Sequence, residues 1–154
     1  MEQWYALHTK PRKEQQVRGY LEGRGIQTYL PSVRVPNRRY PREQREEPFF
    51  ARYLFAHLDL TQVALSSVNW APGVTSLVSF GGQPAVVPEQ VIQWLQSRLA
   101  QIEVWGACRV PLRADDRVRV VAGPLRGMEA IFDRRLSAED RGRVFVELLG
   151  RLTA

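Results

Sequence analysis

One cysteine, Cys108, and two histidines, His8 and His57, are all this 154-residue chain has of the side chains that most readily form disulfides or ligate transition metals. A single thiol closes no internal disulfide and builds no metal site by itself, and the two histidines lie far apart in the chain. No stretch approaches the ~20 apolar residues that a membrane-spanning helix needs. There is no phosphate-cradling Gly-Lys loop, no nucleophile motif and no His, Cys and carboxylate cluster. These gaps argue against an enzyme and leave no cofactor or metal to place. The N-terminus, MEQWYALHTKPRK, starts acidic and enters a short amphipathic run, unlike a signal peptide. The expectation is a cytoplasmic monomer.

Aromatic side chains, by contrast, are concentrated. Phe49, Phe50, Tyr53, Phe55 and Phe80 all fall between Pro48 and Pro88, in PFFARYLFAHLDL and the PGVTSLVSFGGQPAVVP that follows. Successive side chains of a strand point to opposite faces, so Tyr53, Phe55 and His57 share one face and Leu54, Ala56 and Leu58 the other. If the aliphatic face covers the core, Tyr53 and Phe55 are left outside, and an outward aromatic patch marks a binding surface. A strand buried on both faces under helices is the alternative.

Charge is concentrated too. The net charge is +6, and residues 1–47 hold ten Lys/Arg against six Asp/Glu. Residues 48–112 carry three of each, and residues 113–154 nine against seven. A basic first third is the electrostatic footprint of a nucleic-acid partner.

The hydrophobic pattern alternates between strand and helix. Trp4 to Thr9 reads as a strand. Pro11 opens a helix with Val17, Tyr20 and Leu21 on one side, ended by Gly23 and Gly25. Ile26 to Leu30 is a second strand. Pro31 to Glu47, with five arginines, reads as a loop or projecting hairpin. The strand around Tyr53 follows, then a short helix within Thr61–Asn69, a Pro72-Gly73 turn and a strand over Val74–Phe80. Val87 to Ile102 is the clearest helix, with Val91, Ile92, Leu95, Leu99 and Ile102 in one stripe and Trp94 beside it. This describes an α+β layered domain over residues 1–104. WGACRVPL, residues 105–112, breaks both periods and reads as a linker. Residues 113–154 change character: strands over Arg117–Val121, Met128–Phe132 and Val144–Leu149, with a Gly-Pro turn and a charged loop between, predict a small barrel of marginal size for an independent core.

DDRVRVVAGPLRGMEAIFD, residues 115–133, resembles a KOW motif, which ribosomal proteins carry as well. Trp4-Tyr5, Glu47-Pro48-Phe49-Phe50 leading into Tyr53-Leu54-Phe55, and Pro72-Gly73-Val74 resemble the N-terminal (NGN) domain of NusG-type transcription elongation factors. The order of NGN domain and KOW domain is specific to that family. Lys10, Phe80-Gly81, Pro84-Ala85, Val87-Pro88 and Ala130-Ile131-Phe132 add a resemblance to its specialised antitermination branch, the RfaH-like members.

The resemblance implies an NGN α/β sandwich followed by a KOW β-barrel, and a factor that binds the clamp helices of RNA polymerase and suppresses pausing and termination. It implies an apolar cavity made by Tyr53, Phe55 and Phe80 with Phe50 at its rim. It implies contact with the non-template DNA strand through Lys10, with Arg12, Lys13, Arg18 and Arg24 nearby in sequence, and a docking partner, Rho or a small-subunit ribosomal protein, for the KOW domain. In RfaH-like members the C-terminal domain folds instead as a helical hairpin that masks the cavity. Here Ser137 with Asp140 resembles a helix N-cap and Arg143 to Leu152 can be helical, Phe132 matches a residue that plugs the cavity, and Glu47 and Arg141 match a pair that latches the domains. The valines at 118, 120 and 121 and Gly123-Pro124 favour the barrel. The segment that touches the second polymerase pincer in RfaH-like members corresponds to Ala64–Ser67 and keeps two hydroxyls. The last barrel strand is expected to be short of residues. The rival reading is an RNA-binding or ribosome-associated KOW protein with its aromatic face buried.

Overall fold

The computed structural model describes residues 1–37, 39–40, 42–104, 113–119, 127, 129–131 and 137–152. Strand β1 (Gln3–Thr9) leads into α1 (Glu14–Glu22) and β2 (Gln27–Tyr29). A hairpin of β3 (Ser32–Pro36) and β4 (Gln44–Pro48) follows, then β5 (Tyr53–Leu58), α2 (Leu65–Asn69) and β6 (Val74–Leu77). The short strands β7 (Ser79–Phe80), β8 (Gln83–Pro84) and β9 (Val86–Val87) bring the chain to α3 (Glu89–Val104). Beyond it come β10 (Arg117–Arg119), β11 (Glu129–Ile131) and α4 (Ala138–Leu152).

The main sheet runs β2-β5-β1-β6, with β9 also on β1, every pair antiparallel. Ala6 lies opposite Phe55 and Leu7 opposite Leu54, so the two central strands put matched residues on each face. One face holds Tyr5, Leu7, Leu54, Ala56 and Leu58 under Val17 and Leu21 of α1 and Val68 of α2. The other holds Trp4, Ala6, Phe55 and Val87 under Ile92 and Leu95 of α3 and Leu149 of α4. The alternation read in Tyr53–Leu58 is therefore the one observed. What differs is that both faces are covered.

Within the stretch read as a loop or hairpin, β3 and β4 pair antiparallel, Val33 opposite Glu47 and Arg34 opposite Glu46. Trp4 fixes α3 to the sheet: its indole N–H donates to Glu89 Oε2 at 2.6 Å, at the first residue of that helix.

The C-terminal part departs from the sequence expectation. Val118 pairs with Ala130 in a two-stranded hairpin, as two strands of the KOW motif require. Val144–Leu149, expected as a third strand, lies inside helix α4. The helix starts from the cap read at Ser137: Asp140 N–H donates to Ser137 Oγ at 3.1 Å, and the Ser137 hydroxyl donates back to Asp140 Oδ2 at 2.8 Å. No barrel is present among the described residues. The linker at 105–112 and Phe132 lie outside them.

Candidate functional site

Phe50, Tyr53, Phe55 and Phe80 converge on the face of the sheet that carries Trp4 and Ala6. They are not on the outside. Phe55 is 0% exposed and Phe50 6%, and α4 lies across them. The Phe145 ring sits 5.0 Å from the Phe50 ring and 5.4 Å, edge-on, from Phe55. Tyr29 backs Phe55 at 6.1 Å. Phe50, expected at the rim, is thus buried against α4. The outward patch expected from strand parity is corrected: a helix drawn from the far end of the chain covers it.

The contact side of α4 is Gly142, Phe145, Val146, Leu149 and Gly150. That is spacing i, i+3, i+4, i+7, i+8, one face of a helix. The two glycines decide how close it comes. A Cβ on Gly142 would lie 2.8 Å from Tyr53 Cδ2, and one on Gly150 would lie 2.8 Å from Phe80 Cε1. The rings of the two half-buried aromatics therefore occupy notches that only glycine provides. Polar contacts close the near end of the helix. Ala51 N–H donates to the Ala138 carbonyl at 3.0 Å. Arg141 Nε–H donates to the Phe49 carbonyl at 2.8 Å, and its guanidinium lies 4.3 Å over the Phe49 ring. Burial lowers the pKa of Arg141, and the charge of Glu47 opposes that shift. Arg141 thus ties α4 to Phe49, and Glu47 lies within its field. Glu47 itself pairs with Arg45.

The cover is incomplete. Between α3 and α4 an almost wholly apolar groove of about 620 Å³ remains, walled by Phe49, Val91, Trp94, Val144 and Leu148. Trp94 is 49% exposed there. A helix packed on one side and loose on the other forfeits dispersion contacts along the gap. On the other flank, His8 stacks on Tyr53 at 5.0 Å. Burial, and then the charge of Arg52, hold the His8 imidazole below its ordinary value, while burial raises the Tyr53 phenol. Both side chains are therefore uncharged at neutral pH.

The basic residues separate into groups. Lys10, Arg12 and Lys13 are exposed together at the entrance to α1. Arg18 is engaged with Glu22 at 2.9 Å. Arg24 lies past the opposite end of α1, with its guanidinium 4.6 Å over the Tyr20 ring. Among the described residues no group of three or more His, Cys, Asp or Glu is placed to hold a metal, and no helix is long and apolar enough to cross a membrane.

Residues 2–96, the sheet with its helices and most of α3, match the family model described as transcription termination factor NusG. The chain belongs to the NusG family. It is 27% identical over 169 residues to the transcription termination/antitermination protein NusG of Thermus thermophilus, covering 98% of this chain and 92% of that one. The Deinococcus radiodurans protein of the same name is 23% identical over 176 residues, covering 98% and 93%. A solved NusG structure, described as domain interaction in Thermotoga maritima NusG, matches with a TM-score of 0.54 at 23% identity, covering 86% of this chain and 80% of that one. That likeness is one of fold. The NusG resemblance read from Trp4-Tyr5 and the Tyr53 strand is thus borne out. Within the NusG frame, the residues the sequence reading passed over are Gly142, Phe145 and Gly150. Their signal was the helical spacing on which they lie.

Proposed function

We propose that this chain is a transcription elongation and antitermination factor whose aromatic face receives the clamp helices of RNA polymerase, and that α4 holds that face closed until the polymerase displaces it. The observation that carries this reading is the docking of α4 itself. A helix already fills the socket, its Phe145 against Phe50 and Phe55 and its glycines against Tyr53 and Phe80. A groove that accepts one apolar helix face has the shape and chemistry to accept another. The covered state supports an RfaH-like arrangement, in which a C-terminal helix masks the polymerase site. Lys10, Arg12 and Lys13 supply positive charge for the non-template strand, whose phosphates such side chains neutralise in a salt-sensitive way. The β10–β11 hairpin supplies the beginning of a KOW module, for which Rho or a small-subunit ribosomal protein is the fitting partner.

The experiment is single-round transcription on a template with a strong pause, with and without the full chain. The expected result is shorter pausing and more read-through, lost in the variant Tyr53→Ala with Phe80→Ala. An unchanged pause, or an effect that survives the double substitution, would refute the reading and favour an RNA-binding KOW protein instead.

A further inference from the structure

One strained residue joins two of the places where α4 is seated. Arg52 has φ 70°, a left-handed conformation in which the Cβ of any residue but glycine is crowded by its own backbone. Before it, Ala51 N–H donates to the carbonyl of Ala138, the first residue of α4. After it, Tyr53 opens β5 and its ring fills the notch at Gly142. The φ of Arg52 sets the angle between these two contacts. An extended residue at 52 would turn one of them away from α4.

What holds Arg52 there comes from α1. Glu14, the first residue of that helix, is only 6% exposed. Acidic side chains are almost never buried unless something pairs with them. Among the described residues Glu14 makes no ion pair; its Oε1 accepts the Arg52 N–H at 2.8 Å. Arg52 is tied at its other polar groups too. Its Nε–H donates to the Thr9 carbonyl at 3.3 Å, and its carbonyl accepts from Thr9 N–H at 2.8 Å. Strained conformations persist only where the surroundings over-determine them, and they gather at binding sites.

We infer that Glu14 is a positioning residue for the aromatic socket. Through Arg52 it fixes the Ala51 N–H and the Tyr53 ring where α4, and in the function proposed above the polymerase, must meet them. The α4 half stands on the observed docking, and the polymerase half rests on that proposed function.

The test is amide exchange over α4, β1 and β5 of the full chain, alongside binding to core RNA polymerase. Glu14→Ala is expected to speed exchange in α4 by about tenfold or more, the size of one hydrogen bond to a charged group, with β1 and β5 still protected. Glu14→Gln keeps an acceptor at the same place and should retain most of the protection. Adding Arg52→Gly to Glu14→Ala should recover much of it, because glycine adopts a positive φ without an anchor. Polymerase binding is measured in the Phe145→Ala background, where the cover is already loosened and what remains is the fit of the socket itself. There Glu14→Ala is expected to weaken binding by about tenfold, and Arg52→Gly to restore it. Exchange in α4 that is the same with Glu14→Ala overturns the inference. So does a loss shared equally by β1 and β5, or a chain that fails to fold, if Arg52→Gly does not recover it; Glu14 is then a core residue only. Unchanged polymerase affinity with Glu14→Ala also overturns it. If no chain that keeps Glu14 binds polymerase, the proposed function falls, and exchange in α4 alone decides for or against Glu14.

Discussion

Gly142 and Gly150 are unfavourable residues for a helix interior, each costing about 1 kcal/mol relative to Ala. Both stand where the sheet presses closest. Gly142→Ala therefore sets two effects against each other: a better helix former, and a methyl group 2.8 Å from the Tyr53 ring. Overpacking of this kind costs about 1–3 kcal/mol, so the clash outweighs the propensity gain. Amide exchange in α4 is expected to speed up by as much as about 30-fold, the overpacking cost less the propensity gain. Slower exchange would mean that the glycines do not set the fit. His8 carries a pH prediction. Its folded pKa lies below the ordinary 6.5 because of burial and then Arg52. The unfolded chain takes up the proton first, so this contribution to stability is present above pH 6.5 and is lost as pH falls below it. Thermal unfolding followed from pH 7.5 to 5.5 should show a smaller decline in His8→Gln than in the parent chain. Equal declines would remove His8 from the account.

At the scale of elements, α4 depends on its first turn and on one ring. Ser137→Ala removes the acceptor for Asp140 N–H and is expected to lower the stability of the docked helix by about 1 kcal/mol. Phe145→Ala withdraws a ring that bridges Phe50 and Phe55, and should cost about 3 kcal/mol, the lower end for a phenylalanine truncation because Phe145 is only half-buried. Denaturant melts of α4 helicity check both; a Phe145→Ala chain as stable as its parent would mean that α4 is not held by the socket. The central domain was legible because its signals agreed. The strand parity of Tyr53–Leu58, the stripe in α3 and the Pro72-Gly73 turn each pointed to one structure, and each is found. The segment Arg143–Leu149, RVFVELL, was not legible in the same way. Its valines and phenylalanine fit a strand by propensity, while 142, 145, 146, 149 and 150 fit a helix by spacing. Only the aromatic face of a distant domain decides between them, and a local reading does not contain that face. The burial of Phe50 and Phe55 was hidden for the same reason, since their cover lies some ninety residues away in the chain. The basic cluster was legible as composition, and the i,i+4 spacing of Arg18 and Glu22 on α1 held the signal of their pairing.

At the scale of the whole molecule, the function proposed above makes the observed state the covered side of an equilibrium, in which the polymerase would compete with α4 for the same rings. A substitution that weakens α4 docking alone would then tighten polymerase binding by up to the same free energy, as long as the covered state dominates. A substitution in the socket weakens both contacts: it loosens the cover and also removes the rings that the polymerase would hold. The most direct test of this competition is the affinity of intact core RNA polymerase for the full chain, for Phe145→Ala and for Tyr53→Ala with Phe80→Ala. The account predicts tighter binding with Phe145→Ala, by at least about tenfold for a cost above 1.4 kcal/mol, and binding abolished by the socket substitutions. Polymerase binding that is unchanged or weakened by Phe145→Ala, or that survives without Tyr53 and Phe80, would contradict it.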